Sequence, residues 1–167
     1  MTEAQWLAST SPREMLQALQ GRAGERSLRL FACACARRSS VLLTKSLVAT
    51  AERYADGLAS AEELAEVGRT VAQEVAPLLT RERREFMWGE EDVGQAWVAE
   101  SMAVPDAWDA ARGAVEGIIQ AAYYTLDGHE QMWARYRPEV ILRDLFVNPF
   151  RPVALDPSWL TWNGGMV

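Results

Sequence analysis

Histidine and cysteine are nearly absent: the 167 residues hold one histidine, His129, and two cysteines, Cys33 and Cys35. Two thiols cannot build the disulfide framework of a small secreted scaffold. No run approaches the ~18 consecutive apolar residues of a membrane span, and the chain does not open on a basic-then-apolar leader pattern. Basic charge is outnumbered, 17 groups against 23 acidic ones, for a formal charge of −6. An acidic total argues against general nucleic-acid binding, which needs a concentrated basic face. Only seven prolines and eleven glycines punctuate the chain, and no strict apolar–polar alternation between turn residues is long enough for a sheet. At 49% hydrophobic, the sequence is also too apolar for a disordered acidic tail.

What is present is helical. Thr2-Glu3-Ala4-Gln5 reads as a capping box, and Ser11-Pro12-Arg13-Glu14 as a second, with Pro12 at the first helical position. Met15, Leu16 and Leu19 face inward before Gly21 ends that helix. From Ser27, the run Leu28 to Ala36 is apolar on nearly every side, which predicts a central, buried helix reaching water at Arg37 and Arg38. Near Thr44-Lys45-Ser46 the helix either breaks or continues as one longer, bent helix. Leu47, Ala51, Tyr54 and Leu58 then continue a helical stripe, with Gly57 as its C-cap. Ser60-Ala61-Glu62-Glu63 is a third capping box, opening a helix with Leu64, Val67, Val71 and Val75 on one face. Residues 77–92 are the most charged, after which Val93, Trp97 and Val98 suggest a short helix. The longest periodic stretch opens at Pro105-Asp106, carries Trp108, Ala111, Val115, Ile118, Ile119, Ala122 and Leu126, and closes at Asp127-Gly128. The last helical region, roughly 129–147, either restarts or kinks at Pro138. Beyond Asn148-Pro149, prolines at 149, 152 and 157 impose an extended path. That segment is too apolar to hang in water, so it should dock on the bundle.

Three blocks carry a resemblance: Leu28 through Cys35, Ala51 through Gly57, and Leu142 through Trp162. Together they resemble a family of uncharacterised, mostly helical proteins abundant in planctomycete bacteria, whose members often begin with a similar Thr-Glu-x-x-Trp-Leu. The resemblance covers roughly 60 residues at both ends of the chain and implies no established activity, so no site residues come with it. Relatives often have adjacent cysteines where this chain has Cys35-Ala36, and commonly continue past the Trp-x-x-Gly region.

Chemistry is sparse. Cys33 and Cys35 are two apart, about 200° around a helix, so they cannot share a tetrahedral ion and read as two small core residues. His129 follows Asp127-Gly128 at an expected helix N-terminus, where the positive end disfavours imidazolium. Glu85, Glu90, Glu91 and Asp92 lack the spacing of a calcium loop or a di-iron motif. Arg81, Arg83 and Arg84 alternate with Glu82 and Glu85 and form no phosphate-tracking stripe. Phe86-Met87-Trp88, beside Arg84, lies off any clean stripe and contains residue types enriched at interface centres, in a chain with seven tryptophans.

The resulting expectation is an all-α, single-domain bundle of about six to eight helices over residues 1–147, with an extended, proline-rich tail, 148–167, packed on it. Its expected role is a non-catalytic protein–protein interaction or regulatory module. The partner is a protein, basic in character, met through a patch of Arg84, Phe86, Met87 and Trp88. No cofactor, metal or membrane is called for, and two reduced thiols suit the cytoplasm. The alternative is a small enzyme or ligand- or metal-binding bundle in which several of Glu52, Glu74, Glu100, Glu116 and Asp144 converge inward.

Overall fold

A computed structural model describes residues 1–38, 45–76, 91–124 and 129–151. Helices account for nearly all of them, and no strand occurs among the described residues. The all-α bundle expected from periodicity is the architecture.

Local signals set most helix ends. α1 (Glu3–Ala8) begins with a complete capping box: Gln5 N–H donates to Thr2 Oγ1, and Thr2 N–H donates to Gln5 Oε1 at 2.7 Å. α2 (Pro12–Ala18) starts with Pro12, and the Ser11 hydroxyl accepts from Glu14 N–H. α3 spans Glu25–Arg37, beginning before the expected Ser27. Gly24 takes the N-cap place with no side-chain bond, and Glu25 puts an acid in the first turn, where the helix dipole favours it.

α4 (Lys45–Ala55) ends in a Schellman turn at Gly57, whose φ of +70° is a left-handed value that glycine takes without strain. Leu58 N–H donates to the Arg53 carbonyl at 2.7 Å, and Gly57 N–H to that of Tyr54 at 3.1 Å. The turn redirects the chain, so Leu58 leaves the stripe predicted for it and is 68% exposed. α5 (Ala61–Val75) is capped by Ser60, which accepts from Glu63 N–H at 3.1 Å.

α6 (Glu91–Met102) is longer than the short helix that Val93, Trp97 and Val98 suggested. α7 (Ala107–Tyr124) follows a short loop, with Asp106 Oδ1 accepting from Asp109 N–H at 2.8 Å. α8 (His129–Tyr136) and α9 (Pro138–Phe146) are separate helices, so Pro138 restarts the helix rather than kinking it. Arg137 between them is left-handed (φ 40°, ψ 55°) and its N–H donates to the Trp133 carbonyl at 2.9 Å.

α6 and α7 form the most extensively packed helix pair, and a glycine lets them approach. A Cβ added at Gly113 would sit 2.6 Å from Ser101 Cβ, well inside van der Waals contact. α7 lines its inner face with Ala107, Ala110, Ala111, Ala114, Val115, Ile118 and Ala122, mostly small residues that suit close packing.

α3 lies against α4, α6, α7 and α9. Leu28, Arg29, Phe31, Ala32, Cys33, Cys35 and Ala36 are buried, and only a narrow strip through Ser27, Leu30 and Ala34 is half-covered. That is the central helix its composition implied. Trp6, Met15, Leu16, Leu19, Leu64, Met102, Tyr136 and Leu142 complete the surrounding core, with Trp108 and Trp133 packed at its margin.

The start of the C-terminal segment docks on α1. Asn148 Nδ2 donates to Glu3 Oε1 at 2.8 Å, and Arg151 pairs with the same carboxylate at 2.6 Å. Phe150 meets Trp6 edge-on with centroids 6.4 Å apart, and the Arg22 guanidinium lies over the Phe150 ring. Residues 152–167 of the expected tail lie outside the described residues. No helix among the described residues is long and apolar enough to cross a membrane.

Candidate interaction surface

The two thiols are the most nucleophilic groups in the central helix, and burial silences both. Cys33 and Cys35 are free, and neither is reachable by solvent. Burial pushes the Cys33 thiol up to about 12, helped by the Glu52 charge and opposed by Arg29 and Arg37. Burial pushes Cys35 up as well. Without thiolate at neutral pH, these sulfurs are packing atoms.

Between them and the α6–α7 loop lies a group that sequence reasoning overlooked. Arg29 is only 1% exposed, with no carboxylate among its hydrogen-bond partners. Its Nη1 donates to the Met102 carbonyl at 3.1 Å and to that of Val104 at 2.6 Å, and its Nη2 to that of Pro105 at 2.5 Å. These carbonyls sit at and just beyond the end of α6, where unpaired acceptors and the negative end of the helix dipole attract a cation. The guanidinium also lies over the Tyr54 ring, 5.3 Å from its centre. Burial lowers its proton affinity, yet an arginine keeps its charge in a protein. The available signal was a charged residue at the second position of an otherwise apolar run.

The five carboxylates of the enzyme alternative do not converge. Glu52, Glu74, Glu100, Glu116 and Asp144 stand on α4, α5, α6, α7 and α9 respectively, and none is buried. Glu52 is taken by Arg37 through two bonds of 2.8 and 2.6 Å, and Glu116 by both nitrogens of the Arg13 fork. The helical stripes turn these acids outward because the inner faces are filled by apolar side chains. Among the described residues, no three of His, Cys, Asp and Glu gather closely enough to hold a metal ion.

Clefts among the described residues include two between helices. One of about 690 Å³ lies between α1 and α2, lined by Met1, Gln5, Ala8, Ser9, Glu14, Gln17 and Ala18. Another of about 330 Å³ lies between α2 and α7, with Trp108, Leu16 and Val115 alongside Arg13, Gln17, Gln20, Arg112 and Glu116. The charges of the second already have partners: Arg13 pairs with Glu116 across the cleft, and Arg112 with Asp109 outside its lining, at 3.1 Å. Neither cleft gathers a base, a nucleophile and an orienting group.

The patch nominated from sequence, Arg84, Phe86, Met87 and Trp88, lies outside the described residues, as do Arg81 and Arg83. α6 follows that segment in the chain. Its Trp97 is 40% exposed, next to an exposed Glu100 three residues on, while Val98, Ala99, Ser101 and Met102 point into the core. In the longer helix that forms, the buried face begins one residue later, at Val98, and leaves the indole at the boundary. His129 opens α8, and its side chain lies outside the described residues. No protein-family model, curated protein or solved structure matches the chain.

Proposed function

We propose that the chain is a non-catalytic protein–protein interaction module whose contact face combines Trp97 with the preceding segment carrying Arg84, Phe86, Met87 and Trp88. The observation that carries this reading is the half-exposed Trp97 on a helix whose other described apolar residues are committed to the core. An indole left in water is an unspent apolar surface with a polar handle, the residue type most enriched at binding hot spots. Glu100 beside it and a net charge of −6 favour a basic partner, through steering more than contact energy. A bacterial, cytoplasmic setting and kinship with the planctomycete helical family belong to the same proposal, resting on the free thiols and the sequence blocks named above.

The test is affinity capture from native lysate, comparing the wild-type chain with the double variant Trp88→Ala/Trp97→Ala. Wild type is expected to retain a basic protein in a salt-sensitive manner. The variant should lose it, and Trp97→Ala alone should keep its melting temperature within about 3 °C, since Trp97 is 40% exposed. Equal retention by both chains contradicts the assignment of the face.

A further inference from the structure

The junction of α1 with the end of α9 concentrates two unfavourable features. Val147, the C-cap of α9, has φ 46° and ψ −106°. At positive φ its branched Cβ crowds its own backbone. Packing does not impose that conformation, since the side chain is 64% exposed. One helical turn earlier, Arg143 Nη2 donates to the Ser9 carbonyl at the end of α1. The Nε of the same side chain is buried with no hydrogen-bond partner among the described residues. Both features destabilise the closed arrangement. Strained backbone persists only where its surroundings over-determine it, and a buried donor without an acceptor forfeits its hydration.

A small set of bonds between α1 and residues 147–151 holds the junction shut. Trp6 Nε1 donates to the Val147 carbonyl at 3.2 Å. Glu3 accepts from Asn148 and pairs with Arg151, while Asn148 Oδ1 accepts from Phe150 N–H at 3.0 Å. The Phe150 ring meets Trp6 edge-on. α1 has little else to hold it. Trp6 is its one buried residue, no described helix packs extensively on it, and the cleft of about 690 Å³ lies between it and α2.

We propose that residues 147–151 are a strained strap over α1, and that strap and helix open together while the rest of the bundle stays folded. Opening lets Val147 relax to an extended backbone and lets water reach Arg143 Nε. It also carries Trp6 and Phe150 into water, as an aromatic surface that the closed form covers. The local step releases both penalties and breaks few apolar contacts, so it needs less free energy than global unfolding. The inference does not rest on the Trp97 face.

Native-state hydrogen exchange of the whole chain, resolved by residue, tests it in wild type, Val147→Gly and Asn148→Ala. The reporter is the Trp6 amide, which donates to the Thr2 carbonyl at 2.9 Å. In wild type, corrected for intrinsic rates, it should exchange at least about tenfold faster than the amides of Val115 and Ile118 in α7. Glycine takes the backbone conformation of position 147 without strain, so Val147→Gly should slow the Trp6 amide at least about threefold. Asn148→Ala removes the bonds to Glu3 and Phe150 and should speed it at least about threefold. Fraying of α1 by itself would be indifferent to both substitutions, which lie at the other end of the sequence. A Trp6 amide unmoved by one or both variants, or faster in Val147→Gly, would overturn the proposal. So would a wild-type Trp6 amide as slow as those of Val115 and Ile118.

Discussion

Arg29 brings a permanent charge into the middle of the helical assembly, and three carbonyls at and just beyond the end of α6 accept its hydrogen bonds. Removing the side chain would leave a cavity and strip those carbonyls of their donor at once. Arg29→Ala should therefore lose about 3–5 kcal/mol of stability in chemical denaturation. Arg29→Met, which keeps the volume and deletes only the bonds, should lose about 1–3 kcal/mol. A loss below 1 kcal/mol in both would mean that the guanidinium is not the cap of α6. At this scale the sequence was least informative. Polarity alone places an arginine in water, and only tertiary approach of the α6–α7 loop makes burial affordable. Trp97 is the converse case: an apolar residue one position before a buried face stays 40% exposed, and residue type alone does not signal it.

Helices were more legible than single residues because their signals are local. Thr2, Ser11 and Ser60 accept from backbone donors three residues on, as their spacing to Gln5, Glu14 and Glu63 implied. Pro138 and Gly57 mark a start and an end for reasons of backbone geometry that neighbours cannot override. The start of α3 was missed by a short distance, since Gly24 offers no capping side chain to read. Close approach of two helices is invisible without coordinates. Gly113 is the case in point: alanine normally stabilises an exposed helix by ~1 kcal/mol over glycine. Here the added carbon would meet Ser101, so Gly113→Ala should instead destabilise by about 1–3 kcal/mol. A thermal melt of the variant gives the sign, and a raised melting temperature would contradict the packing of α6 on α7.

Across the whole molecule, apolar burial around α3 carries the stability, and the ion pairs contribute little. Of the 17 basic residues only Lys45 is not an arginine, and the described ion pairs are all made by arginine at exposed positions. Such pairs are typically worth ~0–1 kcal/mol each, so they orient surfaces more than they hold the fold. The all-α architecture and the central place of α3 were legible in composition because a helix without a wide polar face has nowhere else to go. The surface was not, because exposure depends on which helices meet. The most direct test of a bundle organised around α3 is native-state hydrogen exchange. Amides of Leu28 through Ala36 should exchange only by global unfolding and be among the slowest in the chain, and Phe31→Ala should speed them by the factor equivalent to about 3–5 kcal/mol. Exchange from that segment as fast as from α1 would contradict the account.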